Sequence, residues 1–319
     1  MAPSVFILGT GFIGGSVLQS LLDKGGYDIA ALCRDDKKAD KLKELGVRPV
    51  KGSLDDDEVI SKEAAQADVI LHIATADDLP SVKSILKGLA QRDSAKAPAI
   101  YIHTSGTGVL TVPIHPDELI FADKSPEIFD KNIPPEAPHR KIDLTIKEAV
   151  ESGKLNAKVS IILPPNIYGI GTGPFNRVSI QTPRWIRQSV KDKHVTMWGG
   201  DRRWNHVHIK NLATAYLTLL AHLESSSTAP LYVVAEHGTH FWRQIGERVD
   251  AELKKRGLIP ADAEVPEVED ANNDTETGTQ SHAKSEILHE LGWKVDRSVP
   301  TVFDSVPEEI DYMRSIGEL

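Results

Sequence analysis

Gly9-Thr10-Gly11-Phe12-Ile13-Gly14 sets three glycines directly after the apolar run Val5-Phe6-Ile7-Leu8. A strand that feeds a helix through such a turn leaves backbone N–H groups unpaired at the helix start, where the helix dipole is positive, and these suit a diphosphate. Gly9 permits the tight turn, Gly11 keeps a side chain out of the pyrophosphate's path, and Gly14 lets the helix lie close to the strand. The turn therefore predicts a bound dinucleotide touched by Gly9, Thr10, Gly11, Phe12, Ile13 and Gly14. Cys33-Arg34 ends the next apolar run, where an acidic residue would bond the ribose hydroxyls and a basic one would welcome a 2′-phosphate. Arg34, helped by Lys37 or Lys38, favours NADP over NAD, although Asp35 and Asp36 offset its field. The alternative is that Arg34 is a solvated loop charge.

Such residues need a rigid frame. Apolar and β-branched runs at 4–9, 28–33, 48–50, 68–73 and 98–103 alternate with amphipathic stretches such as 36–45 and 80–92. That alternation predicts an α/β fold, a Rossmann doubly wound parallel sheet, with a sixth strand at 159–163 after a helix at 139–152. The division expected is a dinucleotide-binding domain over 1–170, with later segments returning to it, and a smaller C-terminal α/β substrate lobe over 171–319. Six prolines and little periodicity across 104–138 mark a candidate lid. The acidic, polar stretch 261–281 reads as a flexible surface loop. Helical or strand patterns at 211–223, 231–235 and 241–255 fill the second half.

At 319 residues and 40% hydrophobic content the chain can bury a sizeable core. Its net charge of -9 argues against a nucleic-acid partner and for a small-molecule substrate. Cys33 is the only cysteine, so no intramolecular disulfide or cysteine-rich metal site forms, and no metal is expected. With no basic leader and no apolar span of membrane length, a cytoplasmic location away from membranes is expected. Oligomerisation is left open.

With these motifs on the page, the chain resembles the extended or atypical short-chain dehydrogenase/reductase superfamily, including fungal epimerase/dehydratase-like and NmrA-like proteins. The landmarks run in order: Gly9 to Gly14, Gly52-Ser53-Leu54-Asp55, Leu71-His72-Ile73-Ala74-Thr75, Thr104-Ser105-Gly106, Pro164-Pro165-Asn166-Ile167-Tyr168-Gly169 and Val207-His208-Ile209-Lys210-Asn211-Leu212-Ala213. The resemblance implies that Ser53 and Leu54 lie against adenine, Ala74 and Thr75 along the ribose and diphosphate, Thr104 beside the cofactor, and Pro164, Asn166 and Ile167 near nicotinamide. Ser53 stands where such families often carry Asp.

In this superfamily a Ser or Thr after the fifth strand orients the substrate oxygen, and a Tyr with a Lys four residues later transfers the proton. Ser105 fits the first role, at the carboxyl end of a strand where doubly wound folds present ligands; it also fits a loop-stabilising hydroxyl. The second pair is missing, since none of the six tyrosines has Lys four residues later. His139 stands roughly where the Tyr would be and Asp143 where the Lys would be. Histidine exchanges protons near neutral pH, and Asp143 one turn away would orient its imidazole or stabilise its cation. The competing reading is that His139 caps or packs the helix start.

Phe175, Trp185, Trp198 and Trp204, with Asn176 and Arg177, are expected over the reactive end, which suits an apolar or aromatic substrate touching Phe175, Asn176 and Trp204; aromatic core packing is the alternative. Trp204 falls where nucleotide-sugar members place an Arg, which disfavours a UDP-sugar. His206 and His208 alternate along a strand, with His237 and His240 following, but no carboxylate or cysteine completes a metal spacing. The expected activity is that of an NADP(H)-dependent oxidoreductase acting on a small carbonyl or hydroxyl compound. The alternatives are a non-redox isomerase, epimerase or cyclase and a noncatalytic NmrA-like redox sensor.

Overall fold

The structure, a computed structural model, describes residues 2–111, 118–269 and 277–319. Its first part alternates strand and helix: β1 (Ser4–Leu8), α1 (Phe12–Lys24), β2 (Asp28–Cys33), α2 (Asp36–Glu44), β3 (Arg48–Lys51), α3 (Asp57–Gln66), β4 (Val69–His72), α4 (Leu79–Ala90) and β5 (Ala99–Thr104). A 3-10 turn (Thr107–Leu110), β6 (Phe121–Ala122), α5 (Glu127–Asn132), α6 (Arg140–Glu151), β7 (Ala157–Leu163) and β8 (Asn166–Tyr168) follow. Then come α7 (Gln181–Asp192), β9 (Met197–Trp198), β10 (Arg203–His208), α8 (Ile209–Ser225), β11 (Tyr232–Val234), β12 (Thr239–Phe241) and α9 (Trp242–Lys255). The chain closes with β13 (Glu267–Val268), β14 (Ala283–Lys284), α10 (Ile287–Glu290) and α11 (Ser305–Ser315).

Seven strands form one parallel sheet in the order β11-β7-β5-β4-β1-β2-β3, the doubly wound arrangement expected. Strand alternation splits its side chains between two cores. Val5, Ile7, Leu71 and Ile102 pack with Val17 and Leu18 of α1 and with Leu212, Tyr216 and Leu219 of α8. Phe6, Leu8, Ile70 and Tyr101 pack on the other face with Ile60 of α3, Val82 and Ile85 of α4, and Ile142 and Ile146 of α6. The order reverses between β1 and β4, which opens a crevice at the carboxyl ends of those strands.

A third core holds the C-terminal lobe. Trp185 of α7, Met197, Trp204 and Trp242 join Val306, Ile310 and Met313 of α11, with the Trp204 and Trp242 rings 5.5 Å apart and tilted by 61°. Above it β12, β10 and β8 make a small sheet, antiparallel between β12 and β10 and parallel between β10 and β8. Among the described residues no helix is long and apolar enough to cross a membrane.

Two expectations are corrected. The described parts of 104–138 do not form a lid, because their apolar side chains are drawn into the sheet's second core: Val109, Leu110, Phe121, Phe129 and Ile133 are all buried. Phe129 stacks on Tyr232 at 5.0 Å and meets Phe121 edge-on at 5.6 Å. Buried Asp123 adds a polar tie, accepting Val234 N–H at 2.9 Å, Glu286 N–H at 2.8 Å and Ile287 N–H at 3.0 Å. Residues 112–117 lie outside the described residues. The flanks of the acidic stretch are likewise fixed: β13 pairs with β9, Arg243 bridges Glu267 at 2.7 Å, and Thr277 and Ser281 are buried. Its centre, 270–276, lies outside the described residues.

Because Phe129 is a core side chain, Phe129→Ala should destabilise the protein by about 3–5 kcal/mol. Urea denaturation measures this, and a loss below about 1 kcal/mol would return the segment to a loosely attached cover.

Candidate functional site

The glycine turn meets the rest of the fold backbone to backbone. Gly9 has φ +95°, and a Cβ on it would stand 2.3 Å from Ala74 Cα at the end of β4. A Cβ on Gly14 would lie 1.9 Å from Gly9 O, so only glycine lets α1 approach β1 this closely. Around Gly11 a Cβ would meet nothing within 4 Å, which leaves open space at the uncapped start of α1. An anion fits that space, with backbone N–H groups and the helix dipole facing it.

A cavity of about 1090 Å³ runs from this turn along the carboxyl ends of the strands. Gly9, Thr10, Gly11, Phe12, Ile13, Arg34, Ser53, Leu54, Ala74, Thr75, Thr104, Pro164 and Ile167 line it, together with Ser105, His139, Asn176 and Trp204. Gly14 stands behind the wall, where it packs helix on strand, and Asn166 is fully buried behind it, so neither offers the direct contact expected. At the far end from Ser105, Arg34 is exposed and Lys38 half-buried. Of their acidic neighbours, Asp36 pairs with Lys51 at 2.7 Å, whereas Asp35 caps α2 through Lys38 N–H at 2.8 Å and lines the cavity beside them.

At the reactive end, Ser105 continues the β5 ladder, its N–H donating to Ile162 O at 2.9 Å. Its hydroxyl donates to Asp143 Oδ2 at 3.0 Å. Asp143 is in the first turn of α6 and buried, and burial pushes its carboxyl up to about 7, only partly offset by the Ser105 hydrogen bond and the nearby charges of His139 and Arg140. The start of α6 is anchored by buried Arg140, which donates to Tyr232 Oη at 2.9 Å and Asp130 Oδ1 at 2.8 Å. His139 caps that helix in the left-handed region at φ 63°, unusual for a residue with a side chain. Its Nδ1 lies 2.7 Å from Asp77 Oδ1, and this hydrogen bond holds the Asp77 carboxyl below its ordinary value. On the opposite edge, Nε2 turns toward the Gly106–Gly108 backbone beside Ser105, only 3.1 Å from where a Gly108 Cβ would sit.

The expected His139–Asp143 pairing is therefore corrected. Asp143 turns inward to Ser105, and the carboxylate on His139 comes from Asp77, 62 residues earlier. The separation hid Asp77; its position just after the Ala74-Thr75 landmark was the available signal.

Two aromatic assignments also change. Phe175 does not line the cavity; its ring packs on the first core and lies under Lys38 Nζ at 4.8 Å. Trp185 is a core side chain of the lobe. Trp204 does reach the wall, and Asn176 lies there with its amide bonded to the Val178 backbone at 3.0 and 3.1 Å. Gln181 and Arg184 of α7 and Thr279, not singled out from sequence, share that wall. His206 stacks on His240 with Nδ1 atoms 3.1 Å apart, and burial lowers His206 and His208 to about 4, so these rings pack as neutral groups.

Comparison with known proteins agrees with this geometry. The NmrA-like family model matches residues 4–97, and that of the NAD dependent epimerase/dehydratase family matches residues 130–235. The oxidase ucsJ of Acremonium sp. is 26% identical over 287 residues, 81% of this chain and 81% of that protein. Among solved structures, UDP-glucose 4-epimerase of Thermotoga maritima with UDP-glucose superposes with a TM-score of 0.70 at 14% identity, covering 98% of this chain and 99% of that one. The dTDP-glucose 4,6-dehydratase DesIV of Streptomyces venezuelae, solved with NAD, gives 0.70 at 17% identity over 98% and 97%. These likenesses establish the fold.

The glycine geometry separates two variants. Gly11→Ala should leave the melting temperature unchanged and abolish its rise on adding a nicotinamide dinucleotide, whereas Gly14→Ala should lower stability without nucleotide; equal melting of the two apo variants would refute the assignment. Asp143 carries a pH signature. Its folded pKa lies above the ordinary 3.8, so the folded state holds a proton that the unfolded state releases, and stability is lost as pH rises from about 4 to about 7. Asp143→Asn should flatten that decline by up to about 1.4 kcal/mol per pH unit, read from urea denaturation across the range. Buried Glu309, also raised to about 7 by burial, supplies the decline that remains.

Proposed function

We propose that this protein, an atypical short-chain dehydrogenase/reductase of the epimerase/dehydratase-like kind, is an NADP(H)-dependent oxidoreductase acting on a small carbonyl or hydroxyl compound. The observation that carries the reading is His139, locked in a left-handed cap with Nδ1 on Asp77, in the same cavity as Ser105 and the glycine turn. The Acremonium relative called an oxidase points the same way.

A nicotinamide held in this cavity would supply the hydride, with its electron pair, for a carbonyl carbon. The protein's own groups handle the oxygen. Ser105 hydrogen-bonds it, and His139 gives it the proton, with Asp77 holding the imidazole and stabilising its cation before the loss. In the opposite direction His139 takes the hydroxyl proton. The open turn at Gly11 would receive the diphosphate, and Arg34 with Lys38 would receive a 2′-phosphate, Asp36 being paired with Lys51 and Asp35 capping α2. The Pro164, Ile167 and Trp204 wall suits a compound with an apolar body.

The test mixes the protein with NADPH and a panel of small aliphatic and aromatic ketones and aldehydes while following reduced-nicotinamide absorbance. Absorbance should fall in step with product. His139→Gln should lower kcat by about 100-fold or more, and Asp77→Asn less, with NADPH affinity unchanged in both. Product without any absorbance change would assign a non-redox isomerase or epimerase, and tight nucleotide binding with no product a redox sensor; either outcome overturns the proposal.

A further inference from the structure

The Ser105–Asp143 contact is placed to do more than hold a loop. Ser105 is fixed by its backbone bond to Ile162 and lines the cavity, while Asp143 lies wholly behind it. Only Oδ2 is bonded; Oδ1 is buried with no hydrogen-bond partner among the described residues. A serine hydroxyl has one proton and two lone pairs, so what it presents to the cavity depends on what it does with the carboxyl.

We propose that Asp143 is the positioning residue for Ser105, its carboxyl deciding whether the hydroxyl proton points inward or toward the substrate oxygen. The inference rests on the reductase reading above. With Asp143 ionised, Ser105 donates inward and offers the cavity only lone pairs, which suit a substrate hydroxyl. With Asp143 protonated, the acid donates to Ser105 Oγ, and the Ser105 O–H turns outward to donate to a carbonyl oxygen. No covalent step is involved. The same two groups thus favour the carbonyl form below the carboxyl's titration and the hydroxyl form above it.

Both states lie within reach because the surroundings nearly balance. Burial favours the acid, as does the charge of Asp77. The Ser105 hydrogen bond, His139 and Arg140 favour the carboxylate. Tyr101 of β5 and Tyr232 of β11 also face it, and burial keeps both phenols protonated. His103, on the same face of β5 as Ser105 and Tyr101, is held neutral by burial and so adds no charge.

Carboxyl-carbon NMR on full-length protein labelled at aspartate tests this without a substrate. The resonance absent from Asp143→Asn should titrate near neutrality in the wild type and at clearly higher pH in Ser105→Ala, where a hydrogen bond to the carboxylate is lost. A resonance ionised throughout the neutral range, or unmoved by Ser105→Ala, overturns the proposal. Should Asp143→Asn not fold, Asp143→Glu identifies the resonance by its loss from the aspartate-labelled spectrum. On a reducible ketone, the fall of kcat/KM with rising pH that belongs to Asp143 should be lost in Asp143→Asn, whose amide donates to Ser105 at every pH. Failure of all carbonyls to turn over, with the titration intact, would instead refute the reductase reading.

Discussion

The contact between Gly9, Ala74 and Gly14 is the constraint on which the site depends. Strand β1 lies between β2 and β4 in the sheet, and α1 must cross it immediately after the turn. A single added carbon at Gly9 or Gly14 would collide with backbone, which side-chain rearrangement cannot relieve. Because these three backbones touch, the crevice at the β1/β4 reversal stays narrow at its base and open at Gly11. Ligand space arises where the packing stops, and Ser105 at a strand end, Asp77 on a loop and His139 at the start of α6 are set around it.

Those groups show how two neighbouring carboxylates, Asp77 in the cavity wall and Asp143 behind it, acquire different properties. Asp77 is largely exposed and bonded by His139, so it remains ionised and acts on the imidazole. Asp143 is sealed by α6 and β5, so its charge is unfavourable and its proton is retained to about 7. Environments that separate the titration of neighbouring acids also separate their roles. The rigid anchoring of α6 by Arg140, Asp130 and Tyr232 matters here, because a helix start free to slide would mix the two.

What the sequence made legible follows from range. Strand period, helix faces and the three glycine roles depend on neighbours within a few residues, and β1 to β5 and β7 fall where those patterns place them. The Asp77–His139 contact spans 62 residues and involves a loop whose direction no local pattern records. Phe175 misled because its apolar ring has no preference between a substrate wall and the stem of Lys38; tertiary packing decided. The 104–138 segment misled differently. Its prolines do interrupt regular structure, but Phe121 and Phe129 bury enough apolar surface to hold the described parts of the segment.

Under the proposed function, His139 and Asp143 in place of the tyrosine–lysine pair of the superfamily this chain resembles make sense together. A phenol near pH 10 needs a neighbouring cation to exchange protons at neutrality, whereas an imidazole titrates close to neutral pH unaided. Once histidine occupies the helix cap, the cation one turn later has lost that task. A carboxylate supplied by Asp77 serves histidine better, because the charge to be stabilised is now positive rather than negative. The side chain at 143 turns instead to the Ser105 hydroxyl, just past β5.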